Sequence, residues 1–560
     1  MRRVLQPVLR VRRVRRASPT PVASALVCVL CAFALSGCLL GPNYSRPQVD
    51  VPATYRFPDN YASDVANTEW WKQFDDPVLN DLITAALANN NDVKIAAARV
   101  DQFLGQFVTT RAALLPQVGA SFDAERQRLP TGSPLLANVN NPVFNTYTAA
   151  LSASWEIDLF GHNRRLTESA RASLLSSEEA KRGTILTLVS SVASSYINLR
   201  SLDRQLEIAK ATTESRADSV HVFELRFKGG EVSQMELAQS QSEYEDSRSR
   251  IPQIEAQIAQ QEDALSVLLG RNPGDILRGR ALAELVAPAV PAGLPSDLLE
   301  RRPDLRQAEQ DLIAANAQIG AAKALYFPQI SLTGLFGTQS GQFSKLFTGP
   351  TRVWSFAGSI TQPIFTGGAI TGQVKQAEAV QQQALYSYRK AIQVAFQEVD
   401  DALIASQKLR EQFDVQGRQV DALASYAHFA RLRYEGGYTS YIEVLDAERS
   451  LFNAQLSQTQ TQAGVLVSYV NLYKAMGGGW VVDAEGLTTQ AAQAGQVTQV
   501  TQATQASQPT QATQATQATQ ATQATQATQA TQAAQVTSAQ AAHTSDDAAR
   551  PADSSSQDAK

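Results

Sequence analysis

The sequence predicts a mostly α-helical chain that carries a smaller membrane β portion and is built from two copies of one half-domain. Three observations lead there. Arg226-Phe227-Lys228-Gly229-Gly230, followed by Ser233 and Glu236, returns as Arg433-Tyr434-Glu435-Gly436-Gly437, followed by Ser440 and Glu443, at a constant offset of 207. A second register, offset by 212, relates Asp92 and Leu115-Pro116-Gln117-Val118 to Asp304 and Phe327-Pro328-Gln329-Ile330. A repeat of about two hundred residues is too long for a stacked solenoid unit and reads as a duplicated half-domain. Each copy also holds a long stretch nearly free of Pro and Gly, and each such stretch is preceded by segments that alternate with a period of two.

At the start, residues 1–37 read as an export leader. The first sixteen residues carry seven arginines and no acid, Val22 to Leu35 is apolar, and Leu35-Ser36-Gly37-Cys38 has the form of a lipobox. Cys38 would then become the N-terminus, carrying a thioether-linked diacylglycerol and an N-acyl chain and no other cofactor. More than one acyl chain exceeds the marginal anchoring a single chain gives. An ordinary signal peptide with an incidental cysteine is the alternative. Cys28 and Cys31 leave with the leader, so the mature chain has no disulfide and no catalytic or metal-binding thiol. Loss of the seven arginines takes the formal net charge from −4 to −11, which argues against nucleic acid as a partner.

Residues 38–90 form the lipidated N-terminal segment, and 91–275 the first repeat. Its strands are expected at about 117–127 and 146–158, its long helix at about 163–228 and its return helix at about 231–269. Tyr147, Ala149, Leu151, Ala153, Trp155 and Ile157 share one face of the second strand, and small or polar residues share the other. A helix over residues 163–228 would be about 100 Å long at about 1.5 Å per residue, too long for a compact globule. On the return helix Ile251, Ile254, Ile258, Leu265 and Leu268 follow 3-4 spacing, and Pro252 is expected to kink or break it.

A connection, 276–303, leads to the second repeat, 304–480, with strands at about 329–337 and 353–362, a long helix at about 369–435 and a return helix at about 438–476. From 481 to 560 the chain is rich in Thr-Gln-Ala triplets and lacks the large apolar residues that would offset ordering entropy, so it reads as a disordered tail. Segments of about ten alternating residues with aromatics near the ends are the mark of transmembrane β-strands, two soluble hairpins being the blander alternative. Four strands cannot close a barrel, and open edges are not tolerated in lipid, so several copies must pool them.

The motifs Glu300-Arg301-Arg302-Pro303-Asp304-Leu305-Arg306, Ala315-Asn316-Ala317-Gln318-Ile319-Gly320, Phe327-Pro328 and Tyr473-Lys474-Ala475-Met476-Gly477-Gly478-Gly479-Trp480 then make a specific match. In them the chain resembles the outer-membrane factor family, the TolC- and OprM-like efflux channels, in the lipidated NodT-type branch. The resemblance implies a Gram-negative outer-membrane homotrimer: a barrel of about 12 strands continuous with a periplasmic tube of about 12 helices. It implies a periplasmic adaptor (membrane fusion) protein and an inner-membrane RND-type pump as partners, beside outer-membrane lipid.

Carried over by position, the resemblance makes Ile442, Glu443 and Asp446 the channel aperture, where carboxylate rings favour cations; a merely solvated helix face is the alternative. It makes Glu236, Tyr434 and Arg449 the closed-state links. Thr439 and Met235 depart from the pattern, so one such link is expected to be missing. Gly230, Ser233, Gly437 and Ser440 become adaptor contacts, although glycines also simply end helices.

No enzyme is legible: the four histidines are isolated, and Gly367 to Gly372 lacks the Lys and Ser/Thr of a phosphate loop. The function expected is a passive exit duct for small toxic compounds. The alternatives are the duct of a type I protein secretion system and a non-channel periplasmic coiled-coil scaffold.

Overall fold

A computed structural model describes residues 39–49, 52, 54–56, 69–128, 143–289 and 297–477. Cys38, the leader and the Thr-Gln-Ala tail lie outside the described residues. The elements in order are α1 (Pro77–Asn89), α2 (Asn91–Ala112), β1 (Gln117–Arg128), β2 (Val143–Ile157), α3 (His162–Lys228) and α4 (Gln234–Leu268). They are followed by α5 (Leu298–Arg301), α6 (Pro303–Ala324), β3 (Gln329–Ser340), β4 (Arg352–Thr361), α7 (Ala369–Glu435) and α8 (Tyr441–Ala475).

Three sequence expectations need correction. The segment before residue 90 is not merely a lipidated lead-in, because it contains α1. Asp76 caps that helix, accepting from the Val78 and Leu79 amides, and Pro77 takes the first turn, where its missing N–H costs nothing. Leu79, Ile83 and Ala86 then face the middle of α3, where Trp70, Ile185, Val189, Val192, Tyr196 and Val470 complete the main core. Trp70 stacks on Tyr473 with centroids 5.4 Å apart. Asp76 is itself fully buried and also accepts from the Tyr196 hydroxyl at 2.8 Å and the Arg280 amide at 3.0 Å.

Pro252 does not break α4, which runs through it. The proline is exposed, so the carbonyl it orphans can meet water, while Ile251, Ile254 and Ile258 hold that stretch against Ile208, Ala209 and Phe452. Packing outweighs the local penalty. The return helices also begin three residues later than expected, at Gln234 and Tyr441, because glycine turns and N-caps occupy the positions before them.

The four strands form one antiparallel sheet in the order β1-β2-β3-β4. Its two central strands come from different repeats, with Ser154 opposite Thr333. The apolar residues Val118, Phe122, Leu151, Phe336, Trp354, Phe356 and Ile360 are all exposed, an uncovered stripe along the whole sheet. The outer edges of β1 and β4 have no strand partner among the described residues. No described helix is long and apolar enough to cross a membrane.

The segment after Cys38 lies as a strap against both repeats. Arg165, only 1 % exposed, donates to the carbonyls of Leu40 (2.9 Å) and Gly41 (3.3 Å) and to Asn43 Oδ1 (2.8 Å). Asn316 reaches the Pro42 carbonyl, and Tyr44 and Arg46 both reach Glu309. Gly41 and Gly320 meet backbone to backbone: a β-carbon on Gly41 would lie 2.4 Å from the Gly320 Cα. The strap therefore begins beside Phe160, three residues past the end of β2.

Candidate functional site

The conserved geometry of the two copies is clearest where each long helix turns back. Gly230 and Gly437 adopt φ +75° and +74°, a left-handed conformation that favours glycine. The amides of Glu231 and Tyr438 return to the carbonyls of Arg226 and Arg433 at 2.9 and 2.8 Å, which closes a Schellman-type helix end. Both glycines face open space. Helix termination thus suffices to explain them, and their exposure also leaves room for a second backbone.

Beyond the turns the copies diverge. Ser233 and Glu236 form a reciprocal capping box: the Glu236 amide donates to Ser233 Oγ at 3.3 Å, and the Ser233 amide donates to Glu236 Oε2 at 2.8 Å. Ser440 makes no side-chain cap. Its partner by position, Glu443, instead accepts from Arg433 at 3.0 Å and from the Thr439 hydroxyl. The difference has a local cause, because position 232 holds Val where 439 holds Thr, and Arg226 is engaged elsewhere.

Arg226 reaches across the repeat boundary to Tyr434, with its guanidinium 5.9 Å from the ring centroid. Tyr434 packs on Phe223 and Tyr441, whose own rings lie 4.2 Å apart, so α3, α7 and α8 are fastened by three aromatics. Burial pushes the Tyr434 phenol up, opposed by the hydrogen bond and charge of Arg226, while the Glu236 carboxylate adds to the rise. Burial likewise raises Tyr441. Both phenols stay neutral at any ordinary pH.

Ile442, Glu443, Asp446 and Arg449 lie together on one turn-proximal face of α8, with Ile442 exposed. Asp446 pairs with Arg449 at 3.1 Å, and Glu448 pairs with Arg431. Each carboxylate expected in the aperture therefore has an arginine within its own helix pair. Glu236 and Tyr434 are close enough to interact electrically, but each has its hydrogen bond elsewhere, to Ser233 and Arg226. Met235 is exposed and Thr439 is bound to Glu443. Phe223, Arg226, Arg431, Arg433 and Tyr441 were missed by sequence reasoning; the available signal was that Phe223 and Tyr441 match Ala430 and Gln234 in the other copy, marking where the repeat is broken.

A second pair of contacts closes each repeat away from the turns. The Asn90 side chain caps α2 and donates to the Leu268 carbonyl at 2.9 Å, while Gly270 packs on the backbone of Asn89 and Asn90. At the matching place Arg302 donates to Asp304 (2.7 Å), Glu398 (2.7 Å) and the Ala475 carbonyl (2.9 Å), and Gly477 packs on its backbone. Burial opposes the charge of the guanidinium, and the hydrogen bonds to Asp304 and Glu398 outweigh it, so its pKa lies above the ordinary arginine value.

Two duplicated helical hairpins continuous with an uncovered amphipathic sheet define a channel-forming outer-membrane protein. The chain belongs to the outer membrane efflux protein family, whose model matches residues 82–271 and 294–478. It is similar to the toluene efflux pump outer membrane protein TtgC of Pseudomonas putida, 37 % identical over 477 residues, covering 84 % of this chain and 98 % of that one. It is similar to the cation efflux system protein CusC of Escherichia coli, 36 % identical over 455 residues, covering 80 % and 97 %. Among solved structures it resembles the open state of the MtrE outer membrane channel of Neisseria gonorrhoeae, with 32 % identity, a TM-score of 0.71 and coverage of 79 % and 99 %. The protein is an outer-membrane efflux channel, and its family is one of ducts rather than an enzyme class.

Proposed function

We propose that this chain is the lipid-anchored exit duct of a tripartite efflux system, formed by three copies and fed from a periplasmic adaptor and an RND-type inner-membrane pump. The observation that carries this reading is the four-stranded sheet, which exposes an apolar stripe and two edges that are unpaired among the described residues, at the root of helices 67 residues long. Lipid covers the stripe, and further copies cover the edges. Acylation of Cys38 agrees with the strap, which brings residues 39–41 beside the end of β2. The duct itself catalyses nothing and draws its driving force from the pump.

Relatives at nearly equal identity are named for toluene and for cation efflux. Cargo choice therefore sits upstream of the duct, and small toxic compounds remain the class assigned here. The glutamate-arginine-arginine-proline-aspartate motif favours efflux over protein secretion. At the adaptor end, Gly230 and Gly437 leave room for a partner's backbone, with Ser233 and Ser440 beside them.

Ile442, Glu443 and Asp446 form the narrow end. Because Glu443 and Asp446 are matched by Arg433 and Arg449, neutralising the acids leaves uncompensated arginines facing the same space. In planar bilayers the purified protein is expected to conduct with cation preference. The double variant Glu443→Gln/Asp446→Asn is expected to conduct more and to lose that preference. A protein that passes no ions sinks the duct, whereas unchanged selectivity in the variant sinks only the aperture.

A further inference from the structure

We infer that the rim of the sheet farthest from the helices binds a phosphorylated glycolipid of the outer leaflet, its phosphates held by Arg126, Arg128, Lys345 and Arg352. The site rests on the membrane-spanning reading of the sheet given above and names what one end of it meets. Its basis is where the charges of the two hairpins fall. Residues 117–157 and 329–361 hold these four cations and no others, and all four lie toward the far end. The acids of the same stretches are Asp123, Glu125 and Glu156. Neither connection at the far end, 129–142 or 341–351, contains an acid.

The pleat sorts the two signs onto opposite faces. Val118, Ala120, Phe122 and Ala124 alternate along the lipid face of β1, and Arg126 and Arg128 continue the same alternation. Asp123 and Glu125 belong to the other face, where Asp123 accepts from the Ser121 hydroxyl at 3.0 Å. On β4 the lipid face runs from Ile360 through Gly358, Phe356 and Trp354 to Arg352. Phe343, in the connection between β3 and β4, lies 6.2 Å from the ring of Phe122 and 5.6 Å from that of Tyr147. The loop that carries Lys345 is thereby drawn over the lipid face. Arg126, Arg128, Lys345 and Arg352 are exposed, and among the described residues none of them has a carboxylate partner.

The root of the sheet differs. Its lipid face ends on Trp155, Ile157, Ile330 and Ile360, with no charged side chain, and the Trp155 indole donates to the Leu114 carbonyl at 3.1 Å. The helices and the strap make that root the periplasmic end, so the charged rim reaches the outer leaflet, where the glycolipid carries phosphates. Arg126 stands eight residues beyond Val118, about 26 Å along the strand at about 3.3 Å per residue, comparable with the apolar band of about 25 Å that a barrel shows to lipid. Snorkelling alone would serve cations at both ends. Only the end that meets phosphate has them. A guanidinium forks onto phosphate oxygens, and beside hydrocarbon that pairing is weakly screened.

The test uses the full-length protein purified from membranes and stripped of lipid by detergent exchange, with binding read by native mass spectrometry. The probes are bisphosphorylated lipid A, the same lipid A with its phosphates removed, and phosphatidylglycerol. The phosphorylated glycolipid should bind tightest. Arg126→Gln, Arg128→Gln and Arg352→Gln should each weaken it about fivefold, and their combination should multiply the losses. Arg126→Lys, which keeps the charge without the fork, should lose less. Asp123→Asn, on the opposite face, should change nothing. Equal binding of the two forms of lipid A, or no loss in the arginine variants, overturns the site. Equal binding of phosphatidylglycerol overturns the glycolipid in favour of any anionic headgroup. Planar-bilayer conductance of the same preparations separates the two readings: unaltered protein that passes no ions sinks the spanning sheet, whereas conducting protein without phosphate-dependent binding sinks the glycolipid site alone.

Discussion

Arg302→Ala is expected to destabilise the fold and reduce assembly. The guanidinium holds Asp304 at the start of α6, Glu398 on α7 and the last carbonyl of α8, so one side chain joins three helices of the second repeat. Removing a buried charge from its partners costs about 3–5 kcal/mol, discounted here because Asp304 and Glu398 are half exposed, which leaves about 2–4 kcal/mol. Thermal unfolding followed by far-ultraviolet circular dichroism in detergent should show a lower midpoint, with less multimer recovered from membranes. Arg302→Lys should recover part of the loss, since a lysine keeps the charge but cannot fork between two carboxylates. An unchanged midpoint in the alanine variant would show that the latch carries no weight.

Gly270→Ala tests the matching latch in the first repeat, and its effect should be at least as large. A β-carbon there would lie 2.3 Å from the Asn89 carbonyl oxygen, a backbone atom with no rotamer by which to retreat, and the residue sits at φ +71°. Left-handed strain and overpacking cost about 1–3 kcal/mol each, so about 2–6 kcal/mol is expected together. Gly183→Ala is the control, because nothing lies within 4 Å of that position. Limited proteolysis at the junction of α1 and α2 should accelerate in Gly270→Ala alone; equal rates in both variants would refute the latch.

Much of this architecture was legible because duplication writes the same signal twice. The paired Gly-Gly turns, the 3.6-to-2 change of period and the long Pro-poor stretches each located an element within a few residues. Gly270 and Gly477 share the 207-residue offset of the turns, but that offset does not reveal their partners, because Asn90 and Arg302 occupy equivalent places with different chemistry. Of the aromatic clamp only Tyr434 was legible; Phe223 and Tyr441 were marked in the sequence solely by their mismatch with Ala430 and Gln234 in the other copy. The ion pairs Arg431–Glu448 and Arg433–Glu443 join residues 17 and 10 apart across a turn, so they become apparent only when two helices are laid side by side. Helix α1 was not legible although Asp76-Pro77 is a start signal, since its apolar face is short beside the patterns of the long helices.

The strap has a consequence for biogenesis. The chain leaves the export machinery beginning first, yet the berth for residues 40–46 is supplied by Arg165, Glu309 and Asn316, with separations of 122 to 274 residues. Its leading end must therefore wait, unmoored from its own protein, until most of the polypeptide has been delivered. Contacts so distant in sequence form late and slowly. An anchor already fixed in the bilayer would convert that search from three dimensions to two, and would deliver each newly made chain to the surface where its strands have to close.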